Sequence, residues 1–212
     1  MEVGGLFISA FVVGLTGAMT PGPLLTVTIA ESAQRGFRAG PLIVLGHAVL
    51  ELMLILALLA GLSLYLARAS VTRVVSIIGG LFLLYMGTTI LLDLRSGKLS
   101  LKQTDTSAAP GIKLHPVAAG FLISLSNPYW IIWWASIGLT YLGEALKTSF
   151  LNVGVFYSGH IMADLGWYSL VSFAISAGRN IIPPLVYKIV LALCGVFLLG
   201  LGGYFLRGAL NT

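Results

Sequence analysis

Two histidine and carboxylate pairs stand inside apolar segments where an ionisable side chain is costly. They are His47 and Glu51 in Gly46-His47-Ala48-Val49-Leu50-Glu51, and His160 and Asp164 in Gly159-His160-Ile161-Met162-Ala163-Asp164. Within each pair the residues are four apart, so on a helix they share one face, one turn above the other. A polar stripe inside lipid marks a functional site by default. Two chemistries are open to it. An imidazole beside a buried carboxylate can take up and release a proton near neutral pH. Two imidazoles with two carboxylates also form a ligand set for a divalent transition ion such as zinc, nickel or manganese. Interhelical hydrogen bonding alone would account for one such pair, but its recurrence in the second half of the chain favours function.

The elements that must position these groups follow from composition. With 58% hydrophobic and 9% charged residues among 212, and a mean hydropathy of +0.99, the chain cannot present an ordinary water-facing surface. It reads as an all-α integral membrane protein. Stretches 3–30, 74–92, 116–143 and 189–206 carry no Asp, Glu, Lys or Arg, and each approaches or exceeds the roughly 20 helical residues that cross a hydrocarbon core of about 30 Å. Stretches 41–66 and 148–178 are interrupted within the apolar run only by the His and acid pairs. Six transmembrane helices are expected.

The chain opens Met1-Glu2 with no basic residues ahead of its first apolar run, so that run reads as a retained span and not as a cleavable signal. The single cysteine, Cys194, excludes an intramolecular disulfide and a dithiol redox centre. Laid on six spans, Arg35, Arg38, Arg95, Lys98, Lys102, Lys113, Arg179 and Lys188 fall on one side, and Arg68, Arg73, Lys147 and Arg207 on the other. The richer side is expected to face the cytoplasm, with both termini outward. The net charge of +5 calls for no nucleic-acid partner, because basic loops beside anionic lipid explain it.

A polar stretch over 95–115 divides the chain into two halves, 1–94 and 116–212, and reads as a flexible cytoplasmic linker. The halves are alike beyond the His pattern. Gly80-Leu81-Phe82-Leu83-Leu84 with Gly87 matches Gly195-Val196-Phe197-Leu198-Leu199 with Gly202, and Thr20-Pro21-Gly22-Pro23 has a counterpart in Ser126-Asn127-Pro128. Three spans per half force the second copy to enter the membrane upside down, giving two inverted three-helix repeats. Pro21 and Pro23 lack a backbone donor and Gly22 is permissive, so the helix should open there, as it should at Asn127 and Pro128. Broken helices in matching positions of two halves point to a binding site, here Pro21, Gly22, Pro23, Asn127 and Pro128.

These residues carry a resemblance. Thr20-Pro21-Gly22-Pro23, then Gly36-Phe37-Arg38-Ala39-Gly40, Gly46, Gly79-Gly80 to Gly87, and Asn127-Pro128 together resemble the lysine exporter (LysE/RhtB) family over nearly the whole chain. Leu24 stands where many members of that family have Asn. The resemblance implies an exporter of amino acids or related small solutes in the inner membrane, built of six helices and working as a homo-oligomer. No enzymatic activity and no cofactor are expected.

Other residues give weaker signals. Tyr129, Trp130, Trp133 and Trp134 are placed either to meet an ammonium-bearing substrate or to form an interfacial belt. Gly36, Gly40, Gly154, Gly195 and Gly202 suit close helix contact. The chain contains no His-Glu-x-x-His helix, no Gly-x-Ser-x-Gly elbow and no Walker loop, so hydrolysis finds no motif and the proton gradient is the expected energy source. In this scheme His47, Glu51, His160 and Asp164 couple protons to transport by alternating access. The rival reading is a divalent-metal exporter using the same four residues as ligands.

Overall fold

Prolines set where several helices begin. The computed structural model describes residues 2–62, 69–96, 114–178, 181 and 183–210, and among the described residues every regular element is helical. Helix α1 (Val3–Ala18) stops short of the Thr20-Pro21-Gly22-Pro23 run, and α2 (Pro23–Arg35) starts on its last proline. Proline suits the first helical position because its missing N–H has no intrahelical bond to make. The axes of α1 and α2 are bent by 75°. Helix α3 (Ala39–Ala57) passes into a π turn (Leu58–Leu62) that is kinked at Gly61, where φ is 103°, and α4 follows over Ala69–Arg95.

In the second half α5 (Pro116–Leu125) and α6 (Pro128–Trp133) are parted at Ser126 and Asn127. Another π turn (Trp134–Gly138) joins α6 to α7 (Leu139–Thr148). Helices α8 (Phe150–Gly178) and α9 (Pro184–Leu210) complete the described chain. Asn127 adopts φ −90° and ψ 108°, the extended conformation favoured before proline, and its side-chain oxygen accepts the Tyr129 N–H at 3.1 Å. The break is thus capped as a new helix start.

Among the described residues four helices are long and apolar enough to cross a bilayer: Ala39–Gly61, Arg73–Arg95, Phe150–Gly178 and Pro184–Leu210. The bent pair of α1 and α2 makes a fifth candidate. The expected fourth span over 116–143 is not among these candidates, because the break at Asn127 and Pro128 leaves α5 with only 10 residues. The linker expected at 95–115 lies almost wholly outside the described residues, as do Arg68, Lys98, Lys102, Lys113 and Arg179.

The packing is reciprocal between the halves. Helix α1 lies against α8, α3 against α5, and α4 against α9. The α4 and α9 contact is glycine on glycine: a Cβ at Gly80 would stand 3.1 Å from the Gly202 carbonyl oxygen, and one at Gly202 2.8 Å from that of Gly80. Gly87 and Gly195 meet in the same way. Small residues let membrane helices approach until backbone touches backbone. Gly36 and Gly154 do not serve this purpose. Gly36 has φ 78° in the turn after α2, and a Cβ on Gly154 would meet nothing within 4 Å.

The outer faces are apolar, with Ile8 and Val12 on α1, Met53 and Leu56 on α3, and Phe173 on α8 exposed. Lipid is the solvent such faces fit. Inside, one apolar cluster gathers Leu24, Leu83, Leu191 and Leu198, and another gathers Leu6, Ile55, Trp134 and Phe156.

Candidate functional site

Each histidine follows a glycine that seats its helix against a neighbour. A Cβ at Gly46 would collide with the Val117 carbonyl of α5, and one at Gly159 would stand 2.6 Å from the Phe7 carbonyl of α1. With both backbones held this close, His47 and Glu51 on α3 are brought up to His160 and Asp164 on α8. All four are buried, Glu51 completely. Each can offer one atom such that the four atoms lie within 4.8 Å of one another.

The two pairs are cross-linked. Nε2 of His47 and Nε2 of His160 each lie 3.2 Å from Oε1 of Glu51. The same two nitrogens stand 3.5 and 3.6 Å from Oδ2 of Asp164. Nδ1 of His47 is bonded to the Ser124 hydroxyl at 2.7 Å, which fixes the ring. Two indoles complete the surroundings: Nε1–H of Trp130 and of Trp134 donate to Oε1 of Glu51 at 2.9 and 2.8 Å. The Trp133 ring lies against the His160 ring with centroids 4.7 Å apart. Three buried polar atoms of the cluster have no hydrogen-bond partner: Oε2 of Glu51, Nδ1 of His160 and Oδ2 of Asp164. Such orphans are costly in a dry interior.

A cavity of about 70 Å³ opens onto the cluster, against roughly 10–15 Å³ needed to hold one water. Its wall is made by the two helix breaks. Pro21, Gly22, Pro23 and Asn127 line it, and His47, Glu51, His160 and Asp164 line its polar side. Pro128 does not reach it; its ring faces α4, where a Cβ on Gly79 would stand 2.6 Å from Cδ. The first turn of α2 also borders the cavity. Leu24 and Leu25 line it, and the first helical bond of α2 is made by the Thr26 N–H to Gly22, so the two amides ahead of Thr26 have no helical acceptor.

Ser124 and Tyr168 were not singled out by sequence, and both line the cavity. For the indoles the signal was available: Trp130 and Trp134 are four apart, so they share a helix face, and an indole N–H in a membrane requires an acceptor. Burial of Trp130, Trp133 and Trp134 excludes an interfacial belt for these three. A second polar cluster also escaped notice. Glu31 is buried beside the Arg35 guanidinium. Next to it the Ser32 and Ser172 hydroxyls meet at 2.7 Å, and Ser172 donates to the Phe37 carbonyl and accepts from the Gly40 N–H. This stitches α2 and the start of α3 to α8.

Long apolar helices, two breaks facing one cavity and ionisable groups buried at its floor define a multi-pass membrane protein of the transporter class. The match to the LysE type translocator family model runs over residues 15–209, and the chain belongs to that family. Among curated proteins it is similar to the chemotactic transduction protein ChpE of Pseudomonas aeruginosa, 27% identical over 96% of this chain and 98% of that protein. It is also similar to the "Putative amino acid efflux protein YcgF" of Bacillus subtilis, 29% identical over 94% of each. No solved structure matches the chain.

Proposed function

We propose that this translocator exports amino acids or closely related small solutes, coupled to the proton gradient by alternating access. The observation that carries the reading is a cavity walled by the α1–α2 and α5–α6 breaks and floored by His47, Glu51, His160 and Asp164. The printed name of the Bacillus relative supports the substrate class. Pro21, Gly22, Pro23 and Asn127 form the substrate-facing wall, with Pro128 keeping the second break open from behind. The unbonded amides of the first turn of α2 suit a carboxylate, because a helix N-terminus presents N–H groups and a positive dipole end.

The architecture in this reading is two inverted three-helix repeats, 1–94 and 116–212, joined by the 95–115 linker. The reciprocal packing supports it, since exchanging the halves turns the α1 and α8 contact into the α5 and α3 contact. The α1–α2 break and the α5–α6 break would then be symmetry mates, and alternating access would be a rocking of the repeats about the buried cluster. Proton uptake by Glu51 or Asp164 would bias which side is open. We place the protein in the cell membrane with its basic loops cytoplasmic, as a homo-oligomer, and with no enzymatic activity.

The experiment is export from proteoliposomes with an imposed pH gradient, screening amino acids and divalent metals side by side. Saturable amino-acid export that collapses with the gradient is the expected result. The metal rival has one observation in its favour: the imidazole and carboxylate atoms are spaced 3.2–3.6 Å apart, close to the edge of a tetrahedral site with bonds of about 2.0–2.2 Å. Against it, Oε1 of Glu51 already accepts both indoles. Metal transport alone, lost on replacing His47 and His160, would put the rival first.

A further inference from the structure

The two carboxylates look equivalent in sequence but are not equivalent in space. Glu51 is fully buried, with two indole N–H donors and both imidazoles within 3.2 Å of Oε1. Both donors come from the second half of the chain, from positions 130 and 134 in the turns after the α6 start. Their counterparts in the first half follow from aligning the two proline starts. Pro23 begins α2 and Pro128 begins α6, which sets Trp130 opposite Leu25 and Trp134 opposite Ile29. Neither aliphatic side chain can donate a hydrogen bond. Asp164 therefore lacks the clamp that Glu51 has.

What Asp164 has instead is the cavity. It lines that cavity while only 4% exposed, and its Oδ2 makes no hydrogen bond, only longer ion-pair contacts with the two imidazole nitrogens at 3.5 and 3.6 Å. Leu25, which stands where a side-chain donor would be required, borders the same space, as does Leu24, and the amides of these two residues have no helical acceptor. An acceptor left open on one side and amide donors left open on the other are complementary to a small molecule with a cationic and an anionic end. The aromatic rings of Trp133 and Tyr168 flank the same cavity, and ring faces favour a nearby cation.

We propose that Asp164 is the residue that receives the substrate's ammonium group, while Glu51 is a clamped carboxyl group, positioned by Trp130 and Trp134, that holds both imidazoles in register. The pseudo-symmetric site is thus divided into a ligand-binding half and a clamped half. This assignment rests on the amino-acid reading above. It makes Asp164 a determinant of specificity, and it makes the two tryptophans positioning residues that act through Glu51.

The test is export kinetics in proteoliposomes with L-leucine, L-threonine and L-lysine, each beside its N-acetyl derivative, which lacks the ammonium charge. Wild-type protein that exports none of the three would refute the amino-acid reading and this assignment with it. Given wild-type export of at least one and rejection of its N-acetyl form, Asp164→Asn should raise KM by about ten- to a hundredfold, the range for losing one hydrogen bond to a charged group, and should narrow the discrimination against the N-acetyl form. Asp164→Glu should recover most of the affinity. Trp130→Phe with Trp134→Phe should lower the maximal rate and keep KM within about threefold. A wild-type KM in Asp164→Asn would overturn the assignment while leaving the amino-acid reading standing. So would a rise in KM for the double tryptophan variant as large as that of Asp164→Asn.

Discussion

Trp134 donates its indole N–H to Oε1 of Glu51 at 2.8 Å across 83 residues of chain, and neither group is exposed. The bond joins α3 to the π turn that follows α6. It makes the floor of the cavity part of the packing that holds the halves together, so stability and transport are expected to respond together there.

Trp134→Phe keeps most of the ring volume and removes that donor. We expect a loss of about 2 kcal/mol, the scale of a hydrogen bond to a charged acceptor, read as a lower unfolding temperature in detergent. An unchanged unfolding temperature would mean that the bond contributes nothing net.

Glycine positions separate sharply by what a Cβ would meet. Gly46→Ala drives a methyl group into the Val117 carbonyl, and Gly159→Ala places one 2.6 Å from the Phe7 carbonyl. Neither neighbour is a flexible side chain, so a helix must move, at a cost of about 1–3 kcal/mol or more. Gly154→Ala and Gly166→Ala meet nothing within 4 Å and should leave stability within about 0.5 kcal/mol. Thermal unfolding of the four variants checks the contrast.

Gly14→Ala is a more local probe. Its Cβ would stand 2.7 Å from Nδ1 of the His160 ring, and 3.3 Å from the His160 Cα and the Ala163 Cβ, so the ring is the group most tightly pressed. The fold should survive with less loss than Gly159→Ala, but the imidazole should leave Glu51. Export should fall at least tenfold while the protein remains monodisperse on size exclusion; wild-type export would show that the ring's orientation does not matter.

Proton coupling predicts that a protonophore abolishes uphill export by the wild-type protein. In Glu51→Gln and Asp164→Asn any residual export should run only downhill and ignore the gradient. Gradient-driven uphill export by both variants would end the coupling scheme. Prolonged chelation should leave the wild-type unfolding temperature unchanged, since a ligand that binds only the native state raises apparent stability and its removal lowers it. A large fall on chelation would support metal binding by the four residues.

Much of this molecule was legible before any coordinates. Composition alone set lipid as the solvent, because a chain with so few charges has no means of covering a water-facing surface. The spacing of His47 to Glu51 and of His160 to Asp164 put each pair on one helix face, and Thr20-Pro21-Gly22-Pro23 and Asn127-Pro128 located the breaks. These are properties of neighbouring residues, governed by helical periodicity and by the missing proline donor. That the two pairs meet is another matter. It depends on α3 and α8 being drawn in by backbone contacts at Gly46 and Gly159, between segments more than seventy residues apart, and periodicity carries no information about which helix a face will meet. The same holds for Trp130 and Trp134, which a sequence leaves free to face lipid or protein. Only tertiary packing turned their N–H groups onto Glu51 and left Asp164 facing the cavity, because a buried donor is costly without an acceptor and the fold determines which acceptor is within reach.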